Sequence, residues 1–241
     1  MIKRLNILLL AWLFSQTALA EPIKPVDLPP AFSASYELIK NGLPVAETNY
    51  RFEKNKNSAE FTSNTELTGI AAWFSDEQAN ERSQLQLTKQ QVQITHYHYQ
   101  QTGKDARTIE SQFDQTAMIV TTKVNQQAES KTSFTTQTWD KLSMLLALMS
   151  HAAANEQKLE ISTLDKTEIR QYQLTRIAEQ EIELDEDVWV KTIRWESLYK
   201  NRKTVFFLDP TRHFIPLKIE QFKRDKRRAT LLLKEIQWLK P

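Results

Sequence analysis

Alternation of large apolar with polar residues, repeated in short segments from residue 32 almost to the end of the chain, restricts this sequence more than any other feature. Phe32, Ala34, Tyr36 and Leu38 fall two apart, with Ser33, Ser35 and Glu37 between them, which puts the apolar set on one face of an extended strand. Asn41-Gly42 follows, and a type I′ turn needs positive φ at both of its central positions, which these two residues tolerate. Ala46, Thr48, Tyr50 and Phe52 then alternate in the returning segment, so residues 32–54 predict a hairpin. Comparable runs lie at 59–67, 80–88, 91–100, 106–114, 117–124 and 128–134. They resume at 157–163, 168–177, 187–199, 202–208, 214–223 and 227–238, with turns at Asn201, Asp209-Pro210 and Asp225. A series of strands with such short connections predicts a mainly β fold: one strongly curved antiparallel sheet or open β-barrel.

Two segments break the alternation. Gly69-Ile70-Ala71-Ala72-Trp73-Phe74 is apolar without period two and predicts a helical turn or a buried loop. Trp139 to Ala154 reads as a helix, with Asp140 positioned to accept from the amide of Ser143. Leu142, Met144, Leu145, Leu146, Leu148 and Met149 make it apolar on nearly every side, and a helix of that kind is buried. It is expected to be one central helix that covers or plugs the sheet.

The ends bound the compartment. Lys3 and Arg4 precede an apolar run from Leu5 to Phe14 that only Asn6 interrupts, and Ala18-Leu19-Ala20 has the small-x-small pattern of a signal-peptidase site. Residues 1–20 are therefore expected to be a signal peptide cleaved after Ala20, placing the mature protein in the periplasm. Residues 21–31 hold four of the eight prolines and read as a semi-rigid leader, with 32–241 as a single β-rich domain. The chain has no cysteine, which excludes a lipid at the cleavage site, disulfides and thiolate metal ligands. No second apolar stretch approaches the ~20 residues that span a bilayer, so no transmembrane segment is expected in the mature chain.

Without Lys3 and Arg4, the 32 basic residues fall to parity with the 30 acidic ones, which argues against nucleic acid as a partner. Three glycines, at 42, 69 and 103, cannot build a P-loop or a dinucleotide fingerprint, and G-x-S-x-G is absent. No catalytic residue, cofactor or resident metal is expected, and the chain is read as not an enzyme.

A resemblance adds to this. Ala34-Ser35-Tyr36, Asn41 to Glu47, Thr65 to Ile70, Asp140-Lys141-Leu142-Ser143 and Thr204 to Asp209 ahead of Pro216 resemble, in order and spacing, the exported bacterial proteins of domain-of-unknown-function family 3108. Ala46 stands where that family's glycine is expected, and Phe207 where it often has tryptophan. The resemblance implies an envelope role and a curved β fold similar to the lipoprotein-carrier half-barrels, and it transfers no activity.

Four groups invite a functional reading. His96 and His98 share a strand face, as paired zinc ligands would, but no third ligand falls at a telling spacing, so a polar face is expected. Glu179, Glu181, Glu183, Asp185, Glu186 and Asp187 lack the register of a calcium loop and read as a solvated connection. Lys223, Arg224, Lys226, Arg227 and Arg228 surround Asp225 at a hairpin tip, a charged edge turn or a foot for anionic lipid or a protein partner. Tyr36, Tyr50, Phe52, Phe61, Phe113, Trp195 and Phe207 occupy strand positions. They are core residues, or the lining of an apolar pocket with Trp73, Phe74 and Trp139 at its mouth. The leading expectation is a non-catalytic protein that binds a lipid, or an apolar segment of an envelope lipoprotein. The alternative is an interaction or scaffold module of envelope assembly with a fully packed core.

Overall fold

The structure, a computed structural model, describes residues 22–73, 75 and 77–240. The expected signal at 1–20 and Phe74 lie outside the described residues. The first half of the chain forms β1 (Phe32–Lys40), β2 (Leu43–Lys54), β3 (Ser58–Leu67), the short helix α1 (Gly69–Ala72), β4 (Gln78–Leu87), β5 (Val92–Gln101), β6 (Arg107–Asp114), β7 (Ile119–Val124) and β8 (Ser130–Ser133). The second half forms β9 (Thr138–Asp140), the helix α2 (Met144–Ala153), β10 (Lys158–Asp165), β11 (Glu168–Asp185), β12 (Val188–Tyr199), β13 (Arg202–Asp209), β14 (Ile215–Lys223) and β15 (Lys226–Trp238).

All fifteen strands belong to one sheet, in the order β8 to β1 and then β15 back to β9. Two up-and-down meanders, β1–β8 and β10–β15, are thus joined by a single long-range seam, where β1 runs antiparallel to β15 from Phe32↔Trp238 to Ile39↔Thr230. β9 departs from the expected antiparallel order, pairing in parallel with β10 after the α2 crossover. The two outermost strands, β8 and β9, are neighbours in sequence but not in the sheet, which stays open between them. The sheet curls until side chains bridge that gap: Thr132 Oγ1 donates to the Thr167 carbonyl at 2.7 Å, and Thr136 Oγ1 lies 2.9 Å from Ser162 Oγ.

The helix is shorter than the sequence predicts. Asp140 ends β9 and caps the turn at 141–143 instead of the helix itself: its Oδ1 accepts from the amides of Leu142 at 2.9 Å and Ser143 at 2.8 Å. Burial follows the expectation, with Leu146, Ala147 and Leu148 fully enclosed between the walls of the curled sheet. Phe32, Phe52 and Phe61 from one meander and Leu174, Trp195 and Leu217 from the other belong to the same continuous core as α2.

The leader is part of that core rather than a spacer. Ile23 and Leu28 are buried, the Ile23 carbonyl accepts from the Val92 amide at 2.9 Å, and Gln137 holds both the amide and the carbonyl of Ile23. The acidic stretch is also not a plain connection. Glu179, Glu181, Glu183 and Asp185 lie within β11 and pair with Ile193, Lys191, Trp189 and Val188 of β12. Glutamates at every other position are compatible with a strand whose intervening residues include the buried Ile182. Beyond Glu179 this ribbon is two-stranded, because β10 stops pairing with β11 at Thr175 and β13 reaches β12 only from Ile193, opposite Glu179.

In an up-and-down sheet, alternate connections share an end. The β1–β2, β3–β4, β5–β6, β7–β8, β10–β11, β12–β13 and β14–β15 connections all lie at one end, the mouth end, and the acidic tip at 186–187 lies at the other.

Candidate functional site

The inward faces of several strands change character as they approach the mouth end. On β12 the inward residues run Ile193, Trp195, Ser197, Tyr199; on β13, Leu208, Phe206, Thr204, Arg202; on β11, Leu174, Tyr172, Arg170. On β6, Phe113, Ile109 and finally Arg107 repeat the trend. The alternation persists, but apolar residues give way to hydroxyls and then to cations. The result is a cleft of about 920 Å³ at the mouth. Nine cationic side chains line it, those of Arg107, Lys141, Lys166, Arg170, Lys200, Arg202, Lys203, Lys223 and Arg228, with Asp165 as the one carboxylate.

Asp165 does not neutralise this set. It pairs with Lys141 at 2.6 Å and with Arg170, leaving the other seven cations without an ion pair among the described residues. Burial opposes ionisation of Asp165, but the Lys141 hydrogen bond and the charges of Lys141, Arg170 and Lys166 outweigh it and hold the carboxyl below its ordinary value. Aromatic rings hold several of the cations in place: the Arg170 guanidinium and the Lys200 ammonium sit 5.3 and 5.4 Å from the centre of the Tyr199 ring. Lys203 lies 5.0 Å from the Phe222 ring. A concave group of cations, four of them arginines from β6, β11, β13 and β15, can receive a phosphate or carboxylate through charge-assisted and bidentate hydrogen bonds.

Beneath the cations lies a buried polar layer. The Ser83 hydroxyl donates to Asp140 Oδ1 at 2.7 Å, and the Tyr97 hydroxyl donates to Glu81 at 2.6 Å. Burial pushes both carboxyls up from their ordinary values, against the hydrogen bonds from Ser143, Ser83 and Leu142 to Asp140 and from Tyr97 to Glu81. For Glu81 the Asp140 charge adds to the rise.

The residues singled out from the sequence are dispersed. Lys223 and Arg228 line the mouth; Arg224, Lys226 and Arg227 are exposed on the same hairpin, and Arg227 pairs with Glu220 at 3.1 Å. Tyr36, Phe52, Phe61 and Trp195 are fully buried, and Phe113 and Trp139 nearly so. Their rings pack on one another: Phe61 lies 6.0 Å from Phe52 and 5.7 Å from the half-buried Tyr50, while the Tyr36 hydroxyl donates to the Pro216 carbonyl at 2.8 Å. Phe207 is on the opposite face of its strand from Phe206, under the Lys218 ammonium at 4.6 Å. Trp73 is exposed on the β3–β4 connection. His96 and His98 are on the outward face, because a bulge between Gln84 and Leu85 in the β4–β5 pairing lets Ile94 and Tyr97 both turn inward. Arg107, Arg170, Arg202 and Lys203 were missed as a group, since they come from three separated segments. The available signal was the basic residue closing each alternating face.

A family model described as "Protein of unknown function (DUF3108)" matches residues 31–231. No curated protein matches the chain by sequence. Among solved structures, the chain is similar to a beta-barrel-like protein of domain of unknown function DUF1849 from Brucella abortus. That match has a TM-score of 0.55 and 10% identity, and covers 88% of this chain and 99% of the other. At that identity the likeness concerns the fold alone.

Proposed function

The chain belongs to the DUF3108 family of proteins of unknown function, and on that premise we propose that it is an exported, periplasmic, non-catalytic binding protein. Its ligand carries a phosphate-type anionic group, and the most fitting source is the headgroup of an anionic envelope amphiphile. The observation that carries this reading is the cleft at the mouth, with nine cations against one carboxylate. The aromatic residues of the core support a headgroup site over a deep apolar pocket, because they fill the barrel by packing on each other. Export is supported by the pattern of Lys3 to Ala20.

The test is calorimetric titration of the mature protein with three probes: dihexanoyl phosphatidylglycerol, glycerol phosphate and dihexanoyl phosphatidylcholine. The first is expected to bind in a salt-sensitive manner, and Arg202→Ala with Lys203→Ala to weaken it at least tenfold, equivalent to about 1.4 kcal/mol. Equal binding of glycerol phosphate would identify a free phosphate compound as the source. Binding of the zwitterionic lipid as tightly as the anionic one, or of neither anion, would overturn the reading.

A further inference from the structure

Of the large apolar side chains in solvent toward the mouth end, Leu198 (67% exposed) lies apart on β12, whereas three lie at the neighbouring β1–β2 and β3–β4 connections: Trp73 is 85% exposed, Ile70 70% and Leu43 65%. They form one patch. The Thr68 amide donates to the Val45 carbonyl at 3.0 Å and Leu67 pairs with Ala46, so α1 lies against the start of β2, where Leu43 sits. None of the three lines the cationic cleft. A tryptophan is costly to hold in water, and its amphipathic ring suits the boundary between headgroups and acyl chains.

The neighbouring charge indicates what covers this patch. The β1–β2 turn and the β14–β15 hairpin together form a shallow cleft lined by Asn41, Gly42, Arg227 and Arg228, and Arg228 also lines the mouth. The apolar patch is therefore continuous, through the exposed Lys40, Arg227 and Arg228, with the cationic mouth. Glu66 and Glu77 bracket α1 in the chain, and the Lys104 amide donates to Glu77 at 3.2 Å, so the largest group of cations beside the patch is that of Lys40 and the β14–β15 hairpin.

We propose that Leu43, Ile70 and Trp73 form a membrane-docking surface that inserts into an anionic bilayer while the adjacent basic hairpin rests on its headgroups. Insertion of apolar tips beside a cationic rim is the physical requirement for reversible binding in the plane of a charged interface. The mouth then faces the lipid. Docking goes beyond ligand binding in the cleft and does not depend on it.

The chain carries its own control at the opposite end, where Trp189 is 60% exposed on the acidic ribbon. The experiment is flotation of the mature protein with vesicles of phosphatidylglycerol and phosphatidylethanolamine, alongside vesicles of phosphatidylcholine. Quenching of tryptophan emission by brominated acyl chains is measured in parallel. The expected result is binding to the anionic vesicles that falls with salt, quenching that disappears with Trp73→Phe but persists with Trp189→Phe, and a loss of about tenfold or more in Ile70→Ser with Trp73→Ser. Thermal unfolding of the double variant is expected to match the parent, since both side chains are in solvent. Unchanged flotation of the double variant, quenching that follows Trp189, or capture of a protein at Trp73 without any vesicle binding would each overturn the proposal. Short-chain lipid titration reads the cleft and flotation reads the patch, so the two proposals fail separately.

Discussion

Asp140 shows how one residue can serve the fold at an electrostatic cost. Its Oδ1 gathers three hydrogen bonds, from Ser83, Leu142 and Ser143, and so fixes the turn that leads into α2. Its Oδ2 is buried without a partner. A carboxyl raised above its ordinary 3.8 by burial holds its proton more tightly when folded. Its contribution to stability therefore falls as the pH rises from that ordinary value through the raised one. Asp140→Asn keeps the accepting oxygen and removes the buried charge. Its stability relative to the parent is expected to increase from pH 4 to pH 8, read from thermal unfolding at each pH; parallel curves would refute this. Asp140→Ala removes the acceptor as well and is expected to cost about 1–3 kcal/mol at pH 4, with the cost shrinking toward pH 8 as the buried charge it also removes develops in the parent.

At the scale of elements, α2 acts as the filling of the barrel. Leu148 is fully enclosed, so Leu148→Ala is expected to cost about 2–5 kcal/mol in denaturant unfolding, the usual range for emptying a packed leucine site. A loss below about 1 kcal/mol would mean that the helix is held loosely. The helix and nearly all strands were legible in the sequence, because both depend on local periodicity that a few residues display. The ends of elements were not. Asp140 looked like a helix cap and instead closes β9, because it pairs with Leu164 of β10, a contact that no local pattern announces. The acidic half of β11 was hidden for a related reason: Glu179, Glu181 and Glu183 alternate as strand residues do, but their outward charges outweighed the single buried Ile182. The parity of Phe207 and of the two histidines likewise depends on register and on bulges.

On the scale of the whole molecule, curvature gathers what the sequence scatters. Arg107, Arg170 and Arg202 meet at the mouth only because two meanders curl toward each other, so the site could not be read from any one segment. The leader belongs to the same closure. Ile23 and Leu28 plug the lower opening while Lys54 Nζ donates to the Leu28 carbonyl at 3.1 Å. Ile23→Ser with Leu28→Ser is expected to lower stability by about 3 kcal/mol or more, since burying each side chain fully contributes roughly 1.5–3 kcal/mol. Calorimetric melting measures the change, and a melting temperature equal to the parent's would show that the leader only rests on the surface.

The pairing of β1 with β15 has a mechanical consequence. Phe32 lies opposite Trp238, and the Leu239 amide donates to the Ala31 carbonyl at 2.8 Å, so the first strand begins and the last strand ends side by side at the same end of the sheet. Tension applied through those two points loads the hydrogen bonds of this pair one after another, as in a zipper, and not all at once in shear. Parting along β1 and β15 would split the shared core and leave the two meanders joined through the short connection at 134–137 between β8 and β9.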